Sequence, residues 1–513
     1  LQHQGLFHTV KPDQSLQALL PFPMAVGLFL SHQVIQGPGH HHFAVQQAVA
    51  AHLTHQHPEV PIRVVEHGRH TKAESIRHRS MLPTQLPHRV SVLVAGGGPA
   101  GFMAAILAAE GGAQEVWLLE ATSELLHKVR ISGGGRCNVS HACWEPRALS
   151  THYPRGGPAL LGPFSRFGPR DAVQWFQRHG LELVEEPDGR LFPRSQSSLS
   201  VVTCLRKAAE AAGVQVQAGL ALQQAEVRPA GGFALTLRDG RSLEAERLVL
   251  ATGSHPSGHR LARALGHSLV PPVPSLFTLA LAAPSLTTLA GVSSDPVALS
   301  LHPPLGGSAP QGSPSSPAPF RQRGVVLITH WGLSGPATLR LTAFAARQLK
   351  AWGYRAELAV DWTGGVPRQE VETLLTAARL QQARRQIATH RALPGLSRRL
   401  WARLVAAAGV KEDCRWADLD RQGQRALVNA LVASRYPVTG RGPFGEEFVT
   451  AGGVPLKEVQ GGTMESRLQP GLFLVGELLD VDGVTGGFNF QHCWTSGWQA
   501  GRALAAAGGA EGN

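Results

Sequence analysis

Cysteine is scarce in this chain. Among 513 residues there are five, Cys137, Cys143, Cys204, Cys414 and Cys493; no two form a Cys-x-x-Cys pair and none belongs to a ladder of cysteines and histidines. That spacing excludes a disulfide framework, a dithiol redox motif and a zinc site, and it fits a reducing cytoplasm. Long apolar runs are also missing. The best candidate, "ALLPFPMAVGLFL" at Ala18 to Leu30, is too short to span a bilayer and lacks the basic start and small-residue cleavage site of a signal peptide, so no membrane association is expected. The net charge is +12 and the pI is near 10.1, yet no basic run is interleaved with aromatics. The densest basic stretch, Arg379 to Leu404, has the helical spacing of a solvated face, so nucleic acid is not the expected partner.

What is present divides unevenly. The first eighty residues hold 12 of the 24 histidines and show no sustained helix or strand period, and Met81 stands just ahead of the first convincing strand. Residues 1–80 are therefore expected to be a disordered or spurious upstream extension. From Arg89 onward, "RVSVLVAGGGPAGFMAAILAAEGGAQEVWLLEA" has the layout of a buried strand, a glycine turn, a helix and a second strand. Gly96, Gly98 and Gly101 fall at G-x-G-x-x-G spacing, with Pro99 and Ala100 opening the helix. The first glycine permits a tight turn, the second lets backbone approach a pyrophosphate, and the third lets helix and strand pack closely. The helix N-terminus then offers free N–H groups and a positive dipole end to the diphosphate. Glu120, nineteen residues after Gly101 at the end of the second strand, is placed to accept the ribose hydroxyls of an adenosine.

This start fits either NAD or FAD, and the far end of the chain decides. "PGLFLVGELLDVDGVTGGFNFQHCWTSGWQAGRALAAA" reads as a strand, then Gly476-Glu477, a glycine-rich turn and a helix. In FAD enzymes of the glutathione-reductase type, a carboxylate there meets the ribityl chain, and the helix start faces the flavin edge where negative charge gathers on reduction. "RLVLATGSHPSG", Arg247 to Gly258, supplies the turn that closes such a domain after a hairpin. The expected cofactor is non-covalent FAD.

The chain at this point resembles the bacterial FAD flavoproteins that include aminoacetone oxidase and the bile-acid-operon NAD(P)/FAD-dependent oxidoreductases. The likeness rests on "GGGPAGFMAAILAA", "KVRISGGGRCN", "GRLFPRSQSS", "ATGSHPSG", "PVTGRGPFGEEFVTAGGVPLKEV", "TMESRLQPGLFLVGELLDVDGVTGGFNFQ" and "GWQAG", which run in family order from about Arg89 to Ala507. It implies an α/β fold: a Rossmann-like FAD-binding domain of glutathione-reductase type with inserted β-barrel-like and helical domains. The expected boundaries are 89–270 with 446–507 for the FAD domain, 271–365 for the barrel and 366–435 for the helices. "GGSAPQGSPSSPAPFRQ", Gly306 to Gln322, reads as a surface loop within the barrel.

The same resemblance places Lys128, Arg136, Cys137 and Asn138 in a second FAD-contacting loop, and Thr252 and Gly253 over the cofactor. It gives Gly476 and Glu477 to the ribityl hydroxyls, with Asp482 as the competing carboxylate, and Gly486, Gly487, Phe488 and Asn489 to the isoalloxazine edge. A triple-glycine loop can bring successive N–H groups to a phosphate or flavin, with Arg136 or Lys128 offsetting charge; Cys137 is then incidental to the chemistry. His330 and His492 are the candidates for proton transfer, with a structural role weighed above a catalytic one for both. No second G-x-G-x-x-G fingerprint with its own strand is found, so NAD(P)H is expected to dock transiently rather than in a domain of its own. The expected activity is transfer of electrons from NAD(P)H through FAD to a small organic acceptor. Oxidation of a small amine by dioxygen is the alternative, and a flavin-containing RNA- or protein-binding module without turnover is a second one.

Overall fold

The structure is a computed structural model and describes residues 86–304, 319–442 and 449–509. The expectations for residues 1–80, for most of the Gly306–Gln322 loop and for the first residues of the 446–507 segment lie outside the described residues. Six strands of the main sheet come first: β1 (Arg89–Ala95), β2 (Val116–Glu120), β3 (Gln215–Ala218), β4 (Leu222–Val227), β5 (Phe233–Leu237) and β6 (Ser242–Leu250). They stand in the order β3-β2-β1-β6-β5-β4. The first four in that order are mutually parallel, and β4 and β5 form an antiparallel hairpin on β6. β5 covers only the first half of β6; its second half is paired in parallel by the strand Leu472–Leu474, which returns from the far end of the chain. Val90, Val92, Leu93 and Val94 are all buried, as expected of a parallel strand covered on both faces. The helix Pro99–Glu110 packs on this sheet, and the helix Phe488–Gly509 packs on that helix. Close approach of the two helices depends on Gly501, where a Cβ would stand 2.7 Å from the Ala104 carbonyl oxygen.

The inserted part is a closed antiparallel barrel of β7 (Leu279–Leu281), β8 (Ser293–His302), β9 (Phe320–Ile328), β10 (Gly332–Ser334), β11 (Ala356–Asp361) and β12 (Ser434–Arg441), in the order β7-β10-β9-β8-β11-β12. Helices Arg368–Gln381, Arg398–Ala407 and Arg421–Val432 lie in the connection between β11 and β12. The strand that closes the barrel therefore follows the helices, whereas the sequence reading ended the barrel before them. "SRYPVTGR" hides this, because its alternation is weak and only Val438 of its eight residues is buried. Leu299, Val360, Trp362, Trp401 and Leu427 belong to one hydrophobic cluster, so barrel and helices share a core. An antiparallel ribbon, Val270–Ser275 with Val449–Gly453, carries the chain into and out of this insert. No helix among the described residues is long and apolar enough to cross a membrane.

Candidate dinucleotide site

The turn after β1 is shaped by contacts that leave no room for side chains. A Cβ at Gly96 would lie 2.3 Å from the Ala251 carbonyl oxygen, and one at Gly101 would lie 2.0 Å from that of Gly96. Gly98 differs: nothing lies within 4 Å of its Cβ position. The helix begins there with Pro99 at its first position, no side-chain cap and no acid in its first turn. Its free N–H groups and positive end thus face open space beside Gly98. Glu120 is held at the end of β2 by the N–H of Gly97 (2.9 Å to Oε2) and by the N–H and hydroxyl of Thr122 (2.8 and 2.9 Å to Oε1).

The "ISGGGRCN" loop breaks its helix at Ser132, and Gly133, Gly134 and Gly135 follow at φ 58°, 67° and 83°. No atom lies near the Cβ positions of Gly134 and Gly135, so glycine is required there by the left-handed backbone and not by crowding. Cys137 points the other way. It is fully buried, its N–H donates to Ser132 (3.0 Å), and burial pushes its thiol up to about 12, far from a reactive thiolate. Asn138 clamps the loop to a turn some 350 residues away, its amide donating to the Ser140 carbonyl (2.8 Å) and accepting from the Gly487 N–H (3.0 Å). Gly487 must be glycine, since a Cβ would lie 2.4 Å from the Ser140 oxygen. Arg136 donates to Glu186 (2.7 Å) and Gln196 (3.0 Å) and lies over the Phe192 ring, so its charge is offset by protein.

At the far end, the Lys128 ammonium is paired with Glu477. Burial works to lower the Lys128 pKa, and the Glu477 carboxylate overrides it, leaving a net rise. Thr252 and Gly253 meet the same place: the Gly253 Cβ position is 3.9 Å from Glu477 Oε2, and the Thr252 hydroxyl is buried without a partner. His492 is fully buried, and its Nε2–H donates to the Gly476 carbonyl at 3.2 Å. Burial lowers its pKa to about 4, so it is neutral at pH 7 and buttresses the Gly476 turn; it is not poised for proton transfer. Gly476 donates to Ser496 Oγ at 3.0 Å.

Three further predicted residues have surroundings of their own. Both carboxylate oxygens of Asp482 are engaged by a fork from Arg155, with Ser275 Oγ also donating at 2.8 Å, and the side chain is fully buried. It therefore bridges the two parts of the molecule, and Glu477 is left as the carboxylate beside Thr252 and Lys128. Asn489 staples its own turn, accepting from the Gly483 N–H (2.8 Å) and donating to the Gly483 carbonyl (2.9 Å). His330 is exposed on the β9–β10 turn, with no described contact to these residues.

Sequence reasoning missed the rings around Phe488. Its ring packs against those of His141 (centroids 4.7 Å, 18° between planes) and His152 (4.3 Å, 10°), which lie 6.2 Å from each other, and Tyr153 donates its hydroxyl to the Phe488 carbonyl at 2.6 Å. Burial lowers the pKa of both histidines. Nothing in "VSHACW" or "STHYP" marks them, because the contacts span more than 330 residues.

The residues fit a dinucleotide. An uncapped helix start faces open space at Gly98, a carboxylate ends β2, and a buried threonine hydroxyl lacks a partner where the first and last segments of the fold converge. Together with the parallel sheet, they define the class as an FAD-dependent oxidoreductase. The chain belongs to the family described as HI0933-like protein Rossmann domain, which matches residues 90–503. It is 29% identical over 429 residues to a 3-dehydro-bile acid delta(4,6)-reductase of Clostridium scindens, covering 82% of this chain and 99% of that protein. It is also 29% identical over 434 residues to a ribosomal RNA dihydrouridine synthase of Escherichia coli, again covering 82% and 99%. Among solved structures, it is similar to a 3-ketosteroid delta1-dehydrogenase from Sterolibacterium denitrificans at 12% identity and a TM-score of 0.46, over 82% of this chain and all of that one.

Proposed function

We propose that this protein reduces a carbon–carbon double bond conjugated to a carbonyl group, taking its electrons from NADH or NADPH. The observation that carries the reading is that the site has no redox group of its own. Cys137 is buried with its thiol protonated, and all five cysteines are unpaired, so no disulfide relays electrons. The names of the two relatives reported above denote saturation of such a bond, one in a bile acid and one in a uridine of RNA. A reducing, cytoplasmic setting suits the unpaired thiols.

Gly98 and the helix start at Pro99 would hold the FAD diphosphate, Glu120 the adenosine ribose, and Thr252 and Glu477 the chain between ring and phosphate. When bound, FAD supplies a two-electron carrier between the nicotinamide and the acceptor. The protein's own part is positional. Asn138 locks the glycine loop to the Gly487 turn, and His492 fixes the Gly476 carbonyl.

The test is anaerobic. NADH or NADPH should bleach the yellow protein, and a steroid 4,6-dien-3-one or a uridine-containing RNA should restore the colour as the acceptor gains two hydrogens by mass. Which acceptor restores it identifies the carrier of the double bond. Bleaching by a small amine, with colour restored only by dioxygen, would establish the oxidase alternative instead. Bleaching by none of these would reject turnover.

A further inference from the structure

Between Glu372 and Glu412 the chain carries seven arginines, one lysine and no carboxylate, an excess of eight positive charges against +12 for the whole chain. The spacing of this segment suggests one solvated helix, yet the structure divides it. The helix Arg368–Gln381 ends just past Arg379, an irregular stretch follows, and the helix Arg398–Ala407 carries the remaining arginines. The Trp401 indole donates to the Ile387 carbonyl at 2.7 Å, which folds the irregular stretch back onto that helix. Arg384, Arg385, Arg398 and Arg399 are exposed. None of the seven arginines has a carboxylate partner among the described residues, whereas Arg136, Arg155, Arg347 and Arg435 each pair with one.

Arg399 and Arg403 stand one helical turn apart, and each donates from Nη2 to Thr288, the first to its carbonyl and the second to its hydroxyl, both at 3.2 Å. Both border a cavity of about 520 Å³ between the helix Arg398–Ala407 and the turn ahead of β8, with Leu289, Ala388 and Val410 also on its walls. Thr288 thus holds the two guanidiniums at the cavity, and their other N–H groups have no protein acceptor among the described residues. Glu412 borders the same cavity without an ion pair to either arginine. Like charges held one turn apart repel, so an arriving anion relieves the repulsion.

We propose that this arginine face docks the phosphate backbone of RNA, and that the double bond reduced by this protein belongs to a uridine of that RNA. The uridine assignment rests on the reduction reading above; the docking does not. A steroid, the other carrier of such a double bond, needs no field of this size, whereas a polyanion gains from every counter-ion released on binding. Arginine suits the role, because its planar fork presents paired donors to phosphate oxygens and stays charged at any working pH. The lack of interleaved aromatics fits this role, since phosphate contacts position a strand without reading its bases.

The test is fluorescence anisotropy of a fluorescein-labelled, single-stranded RNA containing uridine, titrated with the FAD-loaded full chain. Binding should saturate, and its affinity should fall linearly with salt on a double-logarithmic scale. Arg399→Gln with Arg403→Gln should weaken binding roughly ten- to thirtyfold and make that slope about 1.4 shallower, as two phosphate contacts are lost. Arg206→Gln with Lys207→Gln, which removes the same charge from an exposed part of the helix Ser198–Ala211, should leave both unchanged. In the wild-type protein, RNA should protect Arg399 and Arg403 from phenylglyoxal, as mapped by peptide mass, a measurement that needs no variant. No saturable binding, an equal loss in the two double variants, no protection, or tighter binding to phosphatidylglycerol vesicles than to RNA would overturn the proposal. If RNA binds through these arginines and no uridine-containing RNA restores the colour of the reduced protein, the uridine assignment falls and the docking surface stands. If a steroid alone restores the colour and RNA does not bind, the reduction reading stands and the docking surface falls.

Discussion

Gly98 and Gly101 belong to one fingerprint yet should fail in opposite ways when a single methyl group is added. At Gly101 the new Cβ would begin 2.0 Å from the Gly96 carbonyl oxygen and 3.2 Å from the Ala251 Cβ. Real Cβ contacts are not found under 3.0 Å, so the helix must retreat from β1 by at least 1 Å. The gain in helix propensity, about 1 kcal/mol, is outweighed by overpacking that costs about 1–3 kcal/mol and by lost contacts along the helix. Gly101→Ala should therefore melt roughly 2–8 °C below wild type even without FAD. At Gly98 the φ of −87° and ψ of −177° are open to alanine, and the methyl meets no protein atom within 4 Å. The poorer helix cap and the smaller entropy of the unfolded chain nearly offset each other, so the apoprotein should melt within about 1 °C of wild type. The methyl instead occupies the space in front of the helix N-terminus, and FAD should bind about ten- to hundredfold more weakly. Scanning calorimetry of the apoproteins and fluorescence titration with FAD separate the two. Gly98→Ala binding FAD like wild type would refute the assignment of that open space to the diphosphate, and an undisturbed Gly101→Ala would refute the packing argument.

Three further outcomes follow from side chains around the site. Cys137→Ser should keep FAD and turnover, and thiol reagents at pH 8 should label Cys143 or Cys414 well before Cys137, as read by mass spectrometry. Asp482→Asn removes the counter-charge of the buried Arg155 and should cost about 3–5 kcal/mol, read as a lower denaturant midpoint. His492 is neutral in the fold with a pKa near 4 against an ordinary 6.5, so the unfolded chain binds the extra proton between those values. Stability from this group is complete above pH 6.5 and is lost as pH falls toward 4, a loss of roughly 3 kcal/mol. His492→Gln should flatten the melting temperature across that window, and an unchanged slope would show that the imidazole is not buried neutral.

The glycine turn of the proposed dinucleotide site was legible because its main requirements are local. A strand, a glycine turn and a helix start lie within about twenty residues, and each glycine is demanded by a contact or a φ that its neighbours in sequence create. The triple glycine before Cys137 was legible for the same reason, and the burial of that cysteine agrees with reading it as incidental. The barrel was harder. Its closing strand comes after three helices, and its inward positions are Ser434, Tyr436, Val438 and Gly440, of which only Val438 is buried, so hydrophobic periodicity could not reveal it.

Asp482 and His492 show where sequence reasoning has to stop. A carboxylate beside a glycine-rich turn looks like a cofactor ligand until Arg155, more than 300 residues earlier, engages both its oxygens. A histidine beside tryptophan looks titratable until burial removes its proton. By itself, the sequence determined the cofactor class and the backbone cradle, since those depend on where side chains must be missing. Only the tertiary structure decided which polar side chains are already matched and which, like the Thr252 hydroxyl, still lack a partner. Hydrogen bonding and desolvation depend on neighbours distant along the chain, and the fold alone brings those neighbours together.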